Sequence, residues 1–216
     1  MANTQSRKNE KVIPISVIKR LPIYYRCLVN LLNRDMERIS SRELAEKIGV
    51  TASQIRQDLS HFGNFGQRGY GYNINDLSNA IANILGINHN FTMVLIGAGN
   101  LGTAIANYPN FKQRGFQIKA VFDNDISKIG MKLSDCTIQH INKLEDFLQV
   151  NNIDIGILTI PAEETQYFCN IFKEYGIKGI WNFAPVSLNT GNQVMVENVH
   201  ISESLMTLAY RLKEEC

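Results

Sequence analysis

The chain has 216 residues, room for one large domain or two small ones. Its 44% hydrophobic and 19% charged residues exclude global disorder and supply enough apolar side chain for a core. The summed charge of +2, from 22 Lys and Arg against 20 Asp and Glu, names no charged partner by itself.

The sum conceals a division. Residues 1–72 carry twelve basic and six acidic side chains, net +6, whereas residues 73–216 carry ten and fourteen, net −4. A basic segment joined to an acidic one fits a nucleic-acid reader attached to something else, and also fits a solvated basic surface without a polyanion partner. Met1 to Lys11 is polar and of mixed charge, and no window approaches 18 uninterrupted apolar residues, so a cytoplasmic protein without a membrane segment is expected.

Ile18, Leu21, Tyr25, Leu28 and Leu32 form a helical stripe, although Pro22 should bend the helix or delay its start. Ser40 and Glu43 make a capping box opening a helix to Ile48, and Gly49 suits its left-handed stop. Thr51 to Gln54 repeats the capping pattern at once, which gives helix, tight turn, helix. In the third helix Ile55, Leu59 and Phe62 would pack inward, turning Ser53, Gln54, Arg56, Gln57 and Ser60 toward solvent. Such a face suits base edges and phosphates in a major groove, and equally an ordinary polar helix surface. Residues 63–72 hold four glycines, three aromatics and Arg68, the composition of a wing whose tip enters a minor groove. Behind the paired caps, the wing favours a winged helix-turn-helix that binds double-stranded DNA.

A connecting helix from Asp76 to Leu85 leads to a polar boundary at Asn88 to Asn90. Phe91 to Ile96 then reads as a buried strand running into Gly97-Ala98-Gly99-Asn100-Leu101-Gly102, with Leu101, Ala104, Ile105 and Tyr108 continuing at helical spacing. A strand before and a helix after are the context this glycine pattern needs to bind a dinucleotide. Gly97 makes the turn, Gly99 admits the pyrophosphate, and Gly102 lets helix and strand pack closely. Ile118 to Asp123 supplies a second strand whose terminal acid is placed to bond ribose hydroxyls. That carboxylate would repel a 2′-phosphate, so NADH or NAD+ is expected rather than NADP, with Lys128 near the adenine end. Strands from Ile153 to Ile160 and from Gly179 to Phe183 end at Pro161-Ala162 and Ala184-Pro185. Thr159, Pro161, Phe183 and Pro185 are therefore candidate nicotinamide contacts, or simply loop and core residues.

No catalytic residue is expected, because His61, His89, His140 and His200 lie in no acid-base pattern and only about 120 residues follow the first dinucleotide strand. Cys27, Cys136, Cys169 and Cys216 contain no C-x-x-C pair, so neither a disulfide scaffold nor a metal site is expected. Ser202 to Leu212 is amphipathic and either folds back on its own domain or packs on another copy. The fold expected is α/β: a winged-helix domain at 1–87, a Rossmann-like domain at 88–201, and a dimerisation helix at 202–216. A small NAD-dependent oxidoreductase with a fused winged helix is the alternative.

Taken together, Arg20-Leu21, Tyr24-Tyr25-Arg26, Ile55-Arg56, Asp58-Leu59-Ser60, Phe62-Gly63, Phe65-Gly66, Arg68-Gly69, Gly71-Tyr72, the glycine loop, Phe122-Asp123, Pro161-Ala162 and Asn182-Phe183-Ala184-Pro185 closely resemble the Rex family of redox-sensing transcriptional repressors. The resemblance covers about residues 13–212, and its combination of motifs is far more specific than either half. It implies a cytoplasmic homodimer on a palindromic operator, released by NADH, with a C-terminal helix that crosses to the partner. It also implies that Tyr108 and Phe183 to Pro185 border the nicotinamide and that Arg56 and Arg68 contact DNA, with Arg20 a further candidate. Two positions depart from the family: Gln57 stands where a base is usual, and His200 where an acid is usual. In the family that acid can pair with the arginine matched by Arg26 and couple the domains. The switch is therefore expected to rely on helix packing more than on an Arg26 ion pair. NADH release from operator DNA should then be comparable in wild type and His200→Asp; a response absent in wild type and restored by the substitution would sink the idea.

Overall fold

The computed structural model describes residues 13–63, 65–67 and 70–215. The chain divides between Asn88 and His89 into two compact units, one residue beyond the expected boundary.

The first unit begins with α1 (Ile15–Leu32), which buries Val17, Leu21, Tyr24, Leu28 and Leu31. The stripe is therefore one residue out of phase at Tyr24, and Tyr25 is only half-buried. Pro22 neither breaks nor delays the helix: it is exposed, where water can satisfy the carbonyl its missing N–H leaves free. A two-residue strand β1 (Arg38–Ile39) follows, then α2 (Ser41–Ile48). Ser40 and Glu43 form the reciprocal capping box at its start, and Gly49 ends it at φ 75°. In α3 (Ala52–Ser60) Thr51 accepts the Gln54 N–H. The second half of that cap is not made, because the Gln54 side chain turns to Asp58 instead.

The wing consists of β2 (Gly66–Gln67) and β3 (Gly71–Asn73), and β1 joins them in an antiparallel sheet of order β1-β3-β2. Arg68, the expected wing-tip cation, lies outside the described residues. Asn73 then caps α4 (Ile74–Leu85), which starts two residues earlier than expected. Leu21, Tyr24, Leu28, Leu44, Ile55, Leu59, Ile74, Leu77 and Ile81 make one core from all four helices.

Within that core sits a charge the apolar pattern does not reveal. Asp58 is fully buried on α3, and four donors converge on its carboxylate. Arg20 Nε and Nη2 lie 2.6 and 2.8 Å from Oδ2 and Oδ1, Tyr24 Oη lies 2.6 Å from Oδ2, and Gln54 Nε2 lies 2.7 Å from Oδ1. The cluster ties α3 to α1 through a bidentate pair. Burial pushes the Asp58 carboxyl up, but the bonds from Arg20, Tyr24 and Gln54 outweigh it and hold it below the ordinary range.

In the second unit a seven-stranded sheet has the order β10-β9-β8-β4-β5-β7-β6. Its strands are β4 (Phe91–Ile96), β5 (Phe116–Asp123), β6 (Lys132–Leu133), β7 (Cys136–His140), β8 (Ile155–Leu158), β9 (Gly179–Asn182) and β10 (Met195–Asn198). All neighbours are parallel except β6 and β7. The helices are α5 (Asn100–Ala106), α6 (Asn110–Gln113), α7 (Leu144–Val150), α8 (Ala162–Glu174) and α9 (Ile201–Glu215). Both faces of the sheet are covered, which is why its strands read as unbroken apolar runs. Val94, Ile96, Ala120 and Phe122 face one core; Met93, Leu95 and Val121 face the other. The helix α5 stops at Ala106 rather than continuing through Tyr108, because the residue before Pro109 is disfavoured in a helix. Among the described residues no helix is long and apolar enough to cross a membrane.

Replacing Asp58 with Asn should destabilise the first unit by about 3 kcal/mol, since it removes the charge that balances Arg20 while Arg20 keeps some water. A depressed carboxyl stabilises at pH above its unfolded value and loses that contribution as pH falls. The difference between wild type and Asp58→Asn in urea unfolding should therefore shrink as pH drops below the ordinary aspartate value of 3.8.

Candidate nucleic-acid interface and dinucleotide cleft

Helix α3 carries its apolar residues and Asp58 inward, which leaves Ser53, Arg56, Gln57 and Ser60 exposed along one face, with Gln54 half-buried at its edge. Arg56 Nη1 donates to Ser41 Oγ at the start of α2 (2.9 Å), and Ser60 Oγ donates to the Gln57 carbonyl (2.7 Å). Ser53 Oγ shares a hydrogen bond with Thr51 Oγ1 (3.0 Å). Arg20 does not join this face: its guanidinium is spent on Asp58, which holds it fully charged and fixed within the unit. A basic side chain absent from the sequence reading is Arg38 on β1. Its Nη1 donates to the Tyr70 carbonyl (3.3 Å), and its guanidinium lies 6.0 Å from the Tyr70 ring, beside the wing. Only the pairing of β1 with β3, a contact across more than thirty residues of chain, could have placed it there.

The cleft of the second unit follows from strand order. Progress across the sheet reverses at β4, with β5 on one side and β8 on the other, so the loops after β4 and β8 diverge and leave a crevice. Gly97, Gly99, Asp123, Lys128, Thr159 and Pro161 come together in a cavity of about 260 Å³. Asn124, Ile141, Ile160, Glu164 and Phe168 also line it; they come from loops and α8, whose proximity no local motif reveals.

Each glycine of the loop has its own geometric reason. Gly97 sits at φ 96°, and a Cβ there would lie 2.6 Å from the Thr159 carbonyl oxygen. A Cβ on Gly102 would overlap the Gly97 carbonyl, so turn and helix can close only without it. A Cβ on Gly99 would meet nothing within 4 Å, which leaves open space where a phosphate would approach the backbone. Asn100 and Leu101 form the first turn of α5, which has no side-chain cap, and Leu101 packs on the core beneath. Thr159 is a brace: its hydroxyl donates to the Ile96 and Gly97 carbonyls at 3.0 and 2.8 Å.

Asp123 is buried at the end of β5 and is already bonded. Its Oδ2 accepts the Ala98 N–H (2.6 Å) and Lys128 Nζ (3.2 Å), and Oδ1 accepts the Asp125 N–H (2.8 Å). A carboxylate offers about four acceptor sites, so one remains for a ribose hydroxyl. Burial pushes the group up, but the Asp125 and Ala98 amides and the Lys128 ammonium outweigh that and hold it ionised. Lys128 also lies 3.5 Å from Asp125, so one cation faces two carboxylates and the corner stays net negative. Ala98, expected as a cofactor contact, is buried with its amide committed to Asp123, and so acts as the link between loop and acid.

Tyr108, Ala162, Phe183, Ala184 and Pro185 lie outside that cavity's lining. Tyr108 is exposed, its ring tilted against Phe111 at 4.9 Å; Phe111 meets Trp181 at 5.7 Å, which meets Phe183 at 4.6 Å. Ala162 opens α8 behind Pro161. Ala184 is buried and Pro185 is exposed. Their turn is set by Asn182, fully buried, whose Nδ2 donates to the Ala184 and Val186 carbonyls and to Asn198 Oδ1 while its Oδ1 accepts the Ala184 N–H. Arg26 is exposed on α1, and His200 precedes α9 with its Nε2 4.0 Å from Glu203 Oε1. Among the described residues no group of His, Cys, Asp and Glu could hold a metal.

A winged helix-turn-helix in one unit and a switch-point cleft built for a dinucleotide in the other define a ligand-sensing DNA-binding regulator. A family model described as "Putative DNA-binding protein N-terminus" matches residues 12–60, and one described as "CoA binding domain" matches residues 88–186. The redox-sensing transcriptional repressor Rex of Clostridium novyi (strain NT) is 52% identical over 205 residues, 95% of this chain and 98% of that relative. The structure of RSP in complex with β-NADH superimposes with a TM-score of 0.88 at 48% identity, covering 95% of this chain and 96% of that one. RSP in complex with β-NAD+ and operator DNA matches with a TM-score of 0.88 at 51% identity, over 95% and 94% of the two chains. The chain belongs to the Rex family of redox-sensing transcriptional repressors. Its near relatives are repressors, not enzymes, and the oxidoreductase alternative falls with that.

The glycines give a direct test of this cleft. Gly99→Ala should keep the thermal midpoint of wild type and weaken NADH binding about tenfold, the loss of one hydrogen bond to a charged group. Gly102→Ala should lower both, because the collision lies inside the fold.

Proposed function

We propose that this protein is a homodimeric repressor that binds a palindromic operator in the cytoplasm and releases it when NADH occupies the cleft. The observation that carries the reading is the pairing in one chain of an exposed, partly basic α3 face with a switch-point cleft whose acid still has one acceptor free. Ser53, Gln54, Arg56, Gln57 and Ser60 would face the operator, with Arg38 and the wing beside them. Gly97 to Gly102, Thr159 and Pro161 would hold the dinucleotide, Asp123 and Lys128 its adenosine side, and Tyr108 with Phe183 to Pro185 the nicotinamide side. The bound dinucleotide supplies only the redox state of its nicotinamide ring as a signal.

The net negative corner of Asp123, Asp125 and Lys128 favours NADH and NAD+ over their 2′-phosphorylated forms. Dimerisation is supported by α9. Ile201, Leu205, Leu208 and Leu212 recur along one face at helical spacing, and each is at least half exposed within its own chain. Packing that face on a second copy would bury it and give two reading helices related by a two-fold axis, as a palindrome requires. NADH can weaken DNA binding only by as much as it prefers the conformation that DNA rejects. Arg26 and His200 are the candidate coupling positions, with the α9 packing carrying most of the effect.

In a gel shift at one fixed ionic strength, NADH should release the operator, NAD+ should compete with NADH, and NADPH should have no effect at equal concentration. Release by NADPH as readily as by NADH would contradict the role given to Asp123.

A further inference from the structure

The α3 face that would meet DNA contains one side chain that is not free to turn. Gln54 Nε2 lies 2.7 Å from Asp58 Oδ1, and the remaining acceptor sites of that carboxylate are taken by Arg20 and Tyr24. An ionised carboxylate only accepts, so chemistry dictates which end of the Gln54 carboxamide points inward: the NH2 donates to Asp58, and Oε1 turns away. Among the described residues Oε1 makes no hydrogen bond, and no buried side-chain oxygen there lacks a partner, so Oε1 stands open to solvent. One Nε2 hydrogen is left beside it.

An unconstrained glutamine can flip its amide and present either end to a base. Here a flip would set Oε1 against the buried Asp58 carboxylate, two acceptors face to face with no proton between them. The side chain therefore offers one pattern outward, an acceptor next to a donor. In the major groove adenine displays the matching pair, an N6 donor and an N7 acceptor, whereas guanine displays two acceptors, O6 and N7.

We propose that Asp58 is a positioning residue for base selection, locking Gln54 so that it selects adenine and rejects guanine at one position of each half-site. Arg20 and Tyr24 complete the lock from α1, which gives Arg20 a task in recognition without touching DNA. The assignment rests on the DNA-binding reading above.

The test is selection from a random-sequence duplex library with the full-length wild type, Gln54→Ala and Asp58→Asn. Affinities for the selected sequence and for each A·T to G·C replacement then follow at one ionic strength. Wild type should show one adenine per half-site whose replacement by guanine weakens binding about tenfold to a hundredfold. In Gln54→Ala that penalty should fall to about threefold or less at the same position, with the preferences elsewhere unchanged. This variant leaves the Arg20–Asp58–Tyr24 bonds in place and removes one of the four donors to Asp58, so its thermal midpoint should fall, but by less than that of Asp58→Asn. In Asp58→Asn, residue 58 can offer Gln54 either an oxygen or an NH2, so the same preference should shrink while any general loss of affinity is shared by all sequences.

An undiminished adenine preference in Gln54→Ala would overturn the proposal. So would loss of the preference in Gln54→Ala together with its full retention in Asp58→Asn, since the positioning role would then be absent. A wild-type protein that enriches no sequence would overturn the DNA-binding reading itself, and this assignment with it.

Discussion

An ionised carboxylate taken out of water is tolerated only where donors replace the water it loses, and each unit of this protein is arranged around one such group. Asp58 meets two nitrogens of Arg20, the hydroxyl of Tyr24 and the amide of Gln54. Asp123 meets the amides of Ala98 and Asp125 and the ammonium of Lys128. The donors come from different elements, so satisfying the carboxylate fixes those elements relative to each other. The first cluster sets how α3 sits on α1, and the second sets how the glycine loop sits on the end of β5.

The two clusters differ in how completely they are filled, and the difference matches what each unit is for. Asp58 has four donors on four sites and makes a rigid support, on whose outer side a reading face is built. Asp123 has three, and the open site faces a cavity at the point where strand order reverses. A full shell fixes geometry; an incomplete one leaves something to bind. The charge separation follows the same division, with the basic excess in the unit that would meet phosphates and the acidic excess in the unit that would select an unphosphorylated ribose.

Much of the fold was legible locally. The capping box at Ser40 and Glu43, the stop at Gly49 and the strand that feeds Gly97 are set by neighbours within a few residues, and the structure places them there. Local pattern does not fix the phase of α1 at Tyr24 and Tyr25, because both are aromatic and only contact with Asp58 decides which turns inward. Helical periodicity runs on to Tyr108, but the proline that follows it ends α5 at Ala106. Arg38, Asn182 and the brace from Thr159 escaped because each acts on a partner that only the folded chain brings near.

The sequence by itself determined the two-part division, the helix-turn-helix, the glycine loop with its acid, and through them the family. These are patterns of short range, where one residue type at a fixed spacing satisfies a backbone or phosphate requirement. Tertiary structure alone decided what the polar side chains do. Arg20 became a structural ion pair instead of a surface cation, Ala98 the link between the glycine loop and Asp123, and Gln54 a side chain with one orientation. Hydrogen bonding depends on which groups meet across the fold, and spacing along the chain carries no information about that.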